Sequence, residues 1–177
     1  RSALMDLAKV YERSHPEEKI ALTFGASGLL KDRVAAGEAS QVFASANMEH
    51  PEALLKAGRA ELVQPFAVNA LCGLARPQFS LQGKPLATRL LEADVRLATS
   101  TPKADPAGDY AFRMFELIET PGAGPTGSAQ ALKAKAPQPT GGPNAPPPPA
   151  GRNIYGVLVA EDRADVFITY CTNAAQA

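Results

Sequence analysis

The sequence predicts an α/β protein with a mostly parallel sheet. A short apolar strand, a turn of small residues and a helix follow one another in residues 20–37, and the same order returns in residues 95–118. Strands that alternate with helices favour parallel pairing through helical crossovers. The length of 177 residues is enough to bury a sizeable core or to divide into two compact lobes.

The chain opens on a helix, with Leu4, Leu7, Ala8 and Tyr11 on one face and Asp6, Lys9, Glu12 and Arg13 on the other; His15-Pro16 closes it. Ile20, Leu22 and Phe24 then alternate with Ala21 and Thr23, the period-2 signature of a strand. Gly25-Ala26-Ser27-Gly28 leads into a helix through Leu29, Leu30, Arg33 and Val34 that stops at Gly37. Residues 41–44 (QVFA) read as a second short strand, and Ser45 is placed to cap a helix over 48–57 that ends at Gly58.

Residues 69–75 (NALCGLA) form an apolar run before Arg76-Pro77 and read as a buried strand. A helical patch at 86–91 precedes a strand at 95–99. Asp105-Pro106-Ala107-Gly108 then opens a helix in which Ala111, Met114, Phe115 and Ile118 share a face. In residues 137–149 (PQPTGGPNAPPPP) seven of thirteen positions are proline. Proline fixes φ and lacks the N–H donor, so this stretch predicts an extended surface loop and not helix or central sheet. Structure resumes with a short helix from Ile154 and a strand at 166–170 (VFITY).

The 18 Lys and Arg balance the 18 Asp and Glu, and no basic stripe occurs, so a nucleic acid or an anionic membrane is not the expected partner. No apolar run approaches the length of a membrane-spanning helix. Arg1 is preceded by no charged and apolar leader, which predicts that a signal peptide has been removed or that the chain starts further upstream. His15 and His50 stand alone and Cys72 and Cys171 are far apart in sequence, so no metal-ligand spacing is present. A catalytic Gly-x-Ser-x-Gly elbow is absent as well. No cofactor is expected, and the chain does not read as an enzyme.

What remains are two helix N-termini approached through small residues. The first N–H groups of a helix have no internal partner and carry partial positive charge, so Phe24-Gly25-Ala26-Ser27-Gly28 and Pro106-Ala107-Gly108 could each receive an anion. The simpler reading has Ser27 and Asp105 capping their own helices.

The segment TFGASGLLKDRVAAGEASQVFASAN (residues 23–47) resembles the first-lobe signature of the periplasmic molybdate-binding proteins of ABC transporters. Asp105-Pro106-Ala107-Gly108-Asp109-Tyr110-Ala111 is similar to that family's second-lobe turn, and residues 164–170 to its returning strand, which ends in Tyr. The resemblance covers nearly the whole chain apart from the proline-rich loop. It implies a type II periplasmic-binding-protein fold, two α/β lobes with a ligand cleft between them. Residues 1–66 would form the first lobe and 67–173 the second, including the loop at 137–149, with 174–177 starting the return to the first lobe.

Carried over, the family pattern sets a tetrahedral oxyanion, molybdate or tungstate, against the Ser27 hydroxyl and backbone, the Ala107 backbone N–H and the Tyr170 phenol. A fourth contact falls at Ile154 if a two-residue gap is allowed, or at Arg152 without one; Ile154 fits a site that holds its dianion without a basic counter-ion. The resemblance further implies a periplasmic, monomeric protein that delivers its solute to a membrane permease. A disulfide between Cys72 and Cys171 is expected too, because the strands that cross between the lobes run side by side. A different small organic anion or metal complex is the rival ligand, and a sensor or enzyme on the same lobes the rival function. Departures from the pattern are Gln41 in place of Asp, the proline-rich stretch in place of a helix, and an opening strand with a further ligand serine that would fall before Arg1. Residues are therefore expected to be missing from both ends, leaving the apolar faces of the first two helices poorly covered.

Overall fold

The structure, a computed structural model, describes residues 2–120, 124–147 and 151–176. Helices α1 (Ser2–Ser14), α2 (Ser27–Ala35) and α3 (Glu49–Lys56) come first. There follow β1 (Leu71–Ala75), α4 (Leu86–Leu91), β2 (Leu97–Ala98), α5 (Pro106–Ile118), α6 (Ser128–Lys135), α7 (Ile154–Ala160) and β3 (Val166–Tyr170). A 3-10 helix, Cys171–Gln176, ends the described chain. None of the described helices is long and apolar enough to cross a membrane.

The sheet has the order β1-β3-β2. β2 runs parallel to β3, whereas β1 is antiparallel to it, with Leu71 opposite Tyr170 and Cys72 opposite Thr169. The expected mostly parallel sheet is thus a mixed one. β3 lies in the middle, and its run of residues 166–168 is apolar because both of its faces are covered. Val166 and Ile168 pack with Leu90, Leu97, Phe115 and Leu132 on one side. Phe167 packs with Ala98, Leu158 and Val159 on the other. Full burial of side chains such as Phe115 or Ile168 contributes about 1.5–3 kcal/mol each.

Asp165, just before β3, ties the three strands together at one end. Its carboxylate accepts from the Arg96 backbone N–H at 2.7 Å, from the Arg96 guanidinium at 2.8 and 3.1 Å, and from Arg76 after β1. Hydrogen bonding from Arg96 outweighs burial and holds this carboxyl well below the usual aspartate range. At the opposite end Cys72 and Cys171 form a disulfide, with Cα atoms 4.9 Å apart.

The first third of the chain departs from expectation. Residues 20–24 and 41–44 are not strands, and Ile20, Leu22 and Val42 are exposed. A strand persists only where a neighbour satisfies its backbone groups, and neither segment has a ladder partner among the described residues. No residue of α1 is buried, and Leu4, Leu7 and Val10 face solvent. α3 starts at Glu49 with Met48 at its N-cap, while the Ser45 hydroxyl bonds Asn47 instead. α6 was not foreseen in the sequence: Leu132 is its one large apolar residue, so it carries no apolar stripe.

Candidate ligand-binding site

Helix α2 begins at Ser27 and has Ala26 as its N-cap, with no side-chain cap bond. Ser27 therefore does not cap its own helix. It is buried, and its Oγ accepts the Ala46 backbone N–H at 3.2 Å, leaving the hydroxyl hydrogen available. Tyr170, the last residue of β3, donates its hydroxyl to the Ala46 carbonyl at 3.3 Å. Two of the residues singled out in the sequence thus meet on one peptide residue from a third segment.

Gly28 brings the beginnings of α2 and α5 together. Its N–H donates to the Ala104 carbonyl at 2.8 Å. A Cβ at this position would lie 2.7 Å from that oxygen and closer still to the Lys103 carbonyl, so glycine is required by the approach of two backbones.

Helix α5 is capped by Asp105, whose Oδ1 accepts from Ala107 N at 3.0 Å. The simple capping role holds for Asp105, and it puts the Ala107 N–H in use within the chain. Ala107 itself is fully buried. Behind the cap lies Tyr155 of α7, with its hydroxyl among Ser100, Thr169 and Asp105; burial, with the Asp105 charge adding, pushes this phenol up to about 12. Burial raises Asp105 itself, and the Ala107 N–H partly offsets the rise. Tyr170 is raised likewise, first by burial and then by the charge of Asp105.

Ile154 is the first residue of α7, and its half-buried side chain packs beside the cluster of Ala98, Leu158 and Phe167. Arg152 is exposed. The polar residue at this turn is Asn153, whose Oδ1 accepts from Tyr155 N and Gly156 N and whose Nδ2 donates to Asn173 Oδ1 at 3.3 Å. Sequence reading passed over Asn153, although Asn directly before an apolar helical run is a capping signal. Ala46 and Tyr155 were missed as well, because a backbone group and a buried phenol leave no motif.

Tyr170 also lines an open cleft of about 1280 Å³ together with Val42, Phe43, Ala46, Phe66 and Tyr110. Ser27, Ala107 and Ile154 are not among its walls. Among the described residues no group of His, Cys, Asp and Glu is placed to hold a metal ion.

A family model described as bacterial extracellular solute-binding protein matches residues 1–177. The chain belongs to this family. Over 156 residues it is 37% identical to a protein of Pasteurella multocida (strain Pm70) named "Uncharacterized protein PM1146". That match covers 88% of the chain and 64% of the relative, so the chain spans less than two thirds of its length. Among solved structures it is similar to the "substrate binding domain of putative molybdenum ABC transporter from Clostridium difficile". The TM-score is 0.54 at 18% identity, over 99% of this chain and 69% of that one. The likeness establishes the fold of this solute-binding protein as the α/β fold of periplasmic substrate-binding domains.

Proposed function

We propose that this solute-binding protein captures a tetrahedral oxyanion, molybdate or tungstate, in the periplasm and hands it to the permease of an ABC transporter. The observation that carries this reading is the meeting of Ser27 and Tyr170 on Ala46, next to the Gly28–Ala104 contact between two helix starts. Oxygens that bear no proton need donors only; the Ser27 hydroxyl and the backbone N–H groups at the start of α2 are neutral donors, and in this reading the Tyr170 hydroxyl turns from the Ala46 carbonyl to the ion. In this reading residues 1–66 and 67–173 are the two lobes, Ile154 marks the fourth side of the site, and hinge closure around the ion is the working step. The protein acts as a binding protein without catalysis. The solved neighbour's name, which refers to molybdenum transport, points the same way.

The breadth of the cleft and its apolar walls at Val42, Phe43 and Phe66 favour a second reading, a larger organic anion. Calorimetry of the whole chain against molybdate, tungstate, sulfate, phosphate and a set of small carboxylates tests both. Tight and nearly equal binding of molybdate and tungstate, with sulfate much weaker, is the expected result. Heat from the carboxylates alone would transfer the site to the second reading.

A further inference from the structure

The two helix starts that face each other differ in what they still offer. At α2 the Ser27 and Leu29 N–H groups make no hydrogen bond among the described residues, while Gly28 N–H goes to Ala104. At α5 nothing is left. Pro106 has no N–H, Ala107 N–H is held by the Asp105 carboxylate, and Gly108 and Asp109 N–H both go to the Asp105 carbonyl, at 2.9 and 3.4 Å. The Asp105 carboxylate thus already holds the N–H that the oxyanion of the proposed site would use.

Asp105 is enclosed on its other sides too. Gly141, at φ +79°, packs so closely that a Cβ there would fall within 3 Å of the Asp105 carboxylate. The groups that face it are Ser100 beyond β2, Tyr155 on α7, Tyr170 on β3, and Asp109 one turn along its own helix. Asp109 accepts Lys103 N–H through Oδ1 at 2.6 Å and keeps Oδ2 buried without a partner among the described residues. No lysine or arginine among the described residues forms an ion pair with Asp105 or Asp109. A dianion entering beside two uncompensated carboxylates would meet like charge at close range, where the low dielectric strengthens the repulsion.

We propose that Asp105 makes oxyanion capture proton-linked: the ion gains the Ala107 N–H only when Asp105 takes up a proton from solvent and turns its new O–H toward a ligand oxygen. One proton is consumed, one carboxylate charge disappears, and an acceptor in the site becomes a donor. The oxyanion itself stays unprotonated. Burial and the neighbouring Asp109 charge both favour the neutral acid, in keeping with this exchange. The inference rests on the oxyanion reading and adds its regulation by pH.

The test is calorimetric titration of the whole chain with molybdate between about pH 6 and about pH 8, beside Asp105→Asn and Asp109→Asn, with thermal melts to verify folding. The wild type is expected to lose affinity about tenfold per pH unit above the Asp105 titration, with net uptake of about one proton when buffers of different ionisation enthalpy are compared. Asp105→Asn keeps a cap oxygen for Ala107 and should bind molybdate with no such slope and more tightly at the upper pH. A wild type that binds molybdate with a flat profile overturns proton linkage and leaves oxyanion capture standing. A slope that survives in Asp105→Asn and disappears in Asp109→Asn overturns the assignment to Asp105. Absence of molybdate binding by all three folded chains removes the oxyanion reading, and this inference with it.

Discussion

The Gly28 backbone N–H donates to the Ala104 carbonyl at 2.8 Å, and the approach leaves no room for a side chain at position 28. One hydrogen bond therefore joins the start of α2 to the loop that leads into α5. Gly28→Ala should push these backbones apart, because the obstacles are two carbonyl groups that cannot rotate away as a side-chain end would. Faster amide exchange at residues 27–30 and 103–105 is expected, with a loss of oxyanion affinity exceeding about tenfold, roughly the worth of one or two hydrogen bonds to a charge. Unchanged exchange in both segments would show that the contact is not what holds them.

Ser27 and Tyr170 can be tested through their shared partner. Ser27→Ala removes the acceptor of the Ala46 N–H and, in the proposed site, a donor to the ion, so binding should weaken by about 1.5–3 kcal/mol where no water replaces it. Tyr170→Phe removes the donor that bonds the Ala46 carbonyl and that the proposed site would turn to the ion, keeps the ring, which sits edge-on to Tyr110 at 6.4 Å, and should cost a similar amount of affinity with little loss of stability. Because both side chains bond Ala46, the double variant should fall short of the sum of the two single effects. Strict additivity would mean that the two residues do not act at one point.

The parts of the fold legible in the sequence are those whose apolar pattern is satisfied within the chain. VFITY reads as a buried strand because β3 is covered on both faces, and Ala111, Phe115 and Ile118 read as one face because they meet that sheet. Ile20, Leu22 and Phe24 carry an equally clear alternation, yet no neighbouring strand pairs with them among the described residues. Periodicity reports a tendency to pair; pairing needs a partner. At the site, Ser27 and Tyr170 were accessible through their motifs and meet at Ala46. Ala107 was named for an N–H that the structure finds held by Asp105, since a cap and an anion nest share the same sequence pattern. Ile154 opens α7, but its side chain serves the core and Asn153 makes the polar contacts of that turn.

Asp165 should control how stability responds to acid. Its folded carboxyl titrates below the ordinary aspartate value of about 3.9, so the unfolded chain binds the proton first as the pH falls. Its contribution is therefore complete well above pH ~4, fades as the solution is acidified through that range, and is gone below the folded value. Asp165→Asn should lower unfolding free energy near neutrality by about 1–2 kcal/mol, allowing for the exposure of Arg96. The difference from wild type should shrink on acidification in urea titrations. A gap that stays constant down to about pH 3 would show that the loss comes from packing and not from the charge.

The Cys72–Cys171 disulfide ties β1 to the end of β3 one residue beyond Tyr170, and the two cysteines stand 99 positions apart in sequence. A bridge across so long a loop acts mainly by restricting the unfolded chain, and its removal typically costs about 2–4 kcal/mol. The paired variant Cys72→Ala/Cys171→Ala should therefore unfold at a clearly lower urea concentration than the oxidised wild type, and reduction of the wild type should reproduce most of that shift. Ligand affinity should respond differently. Tyr170 is paired with Leu71 in the β1–β3 ladder, and the Cys171 N–H is bonded to the Ala70 carbonyl at 2.8 Å, so backbone pairing alone positions the phenol in the folded state. Oxyanion affinity of the folded variant should then stay within about threefold of wild type, less than 1 kcal/mol. Coincident urea transitions would remove the stabilising role of the bridge. A loss of affinity beyond about tenfold in a folded variant would instead mean that the sulfur link, and not the strand pairing, holds Tyr170 against Ala46.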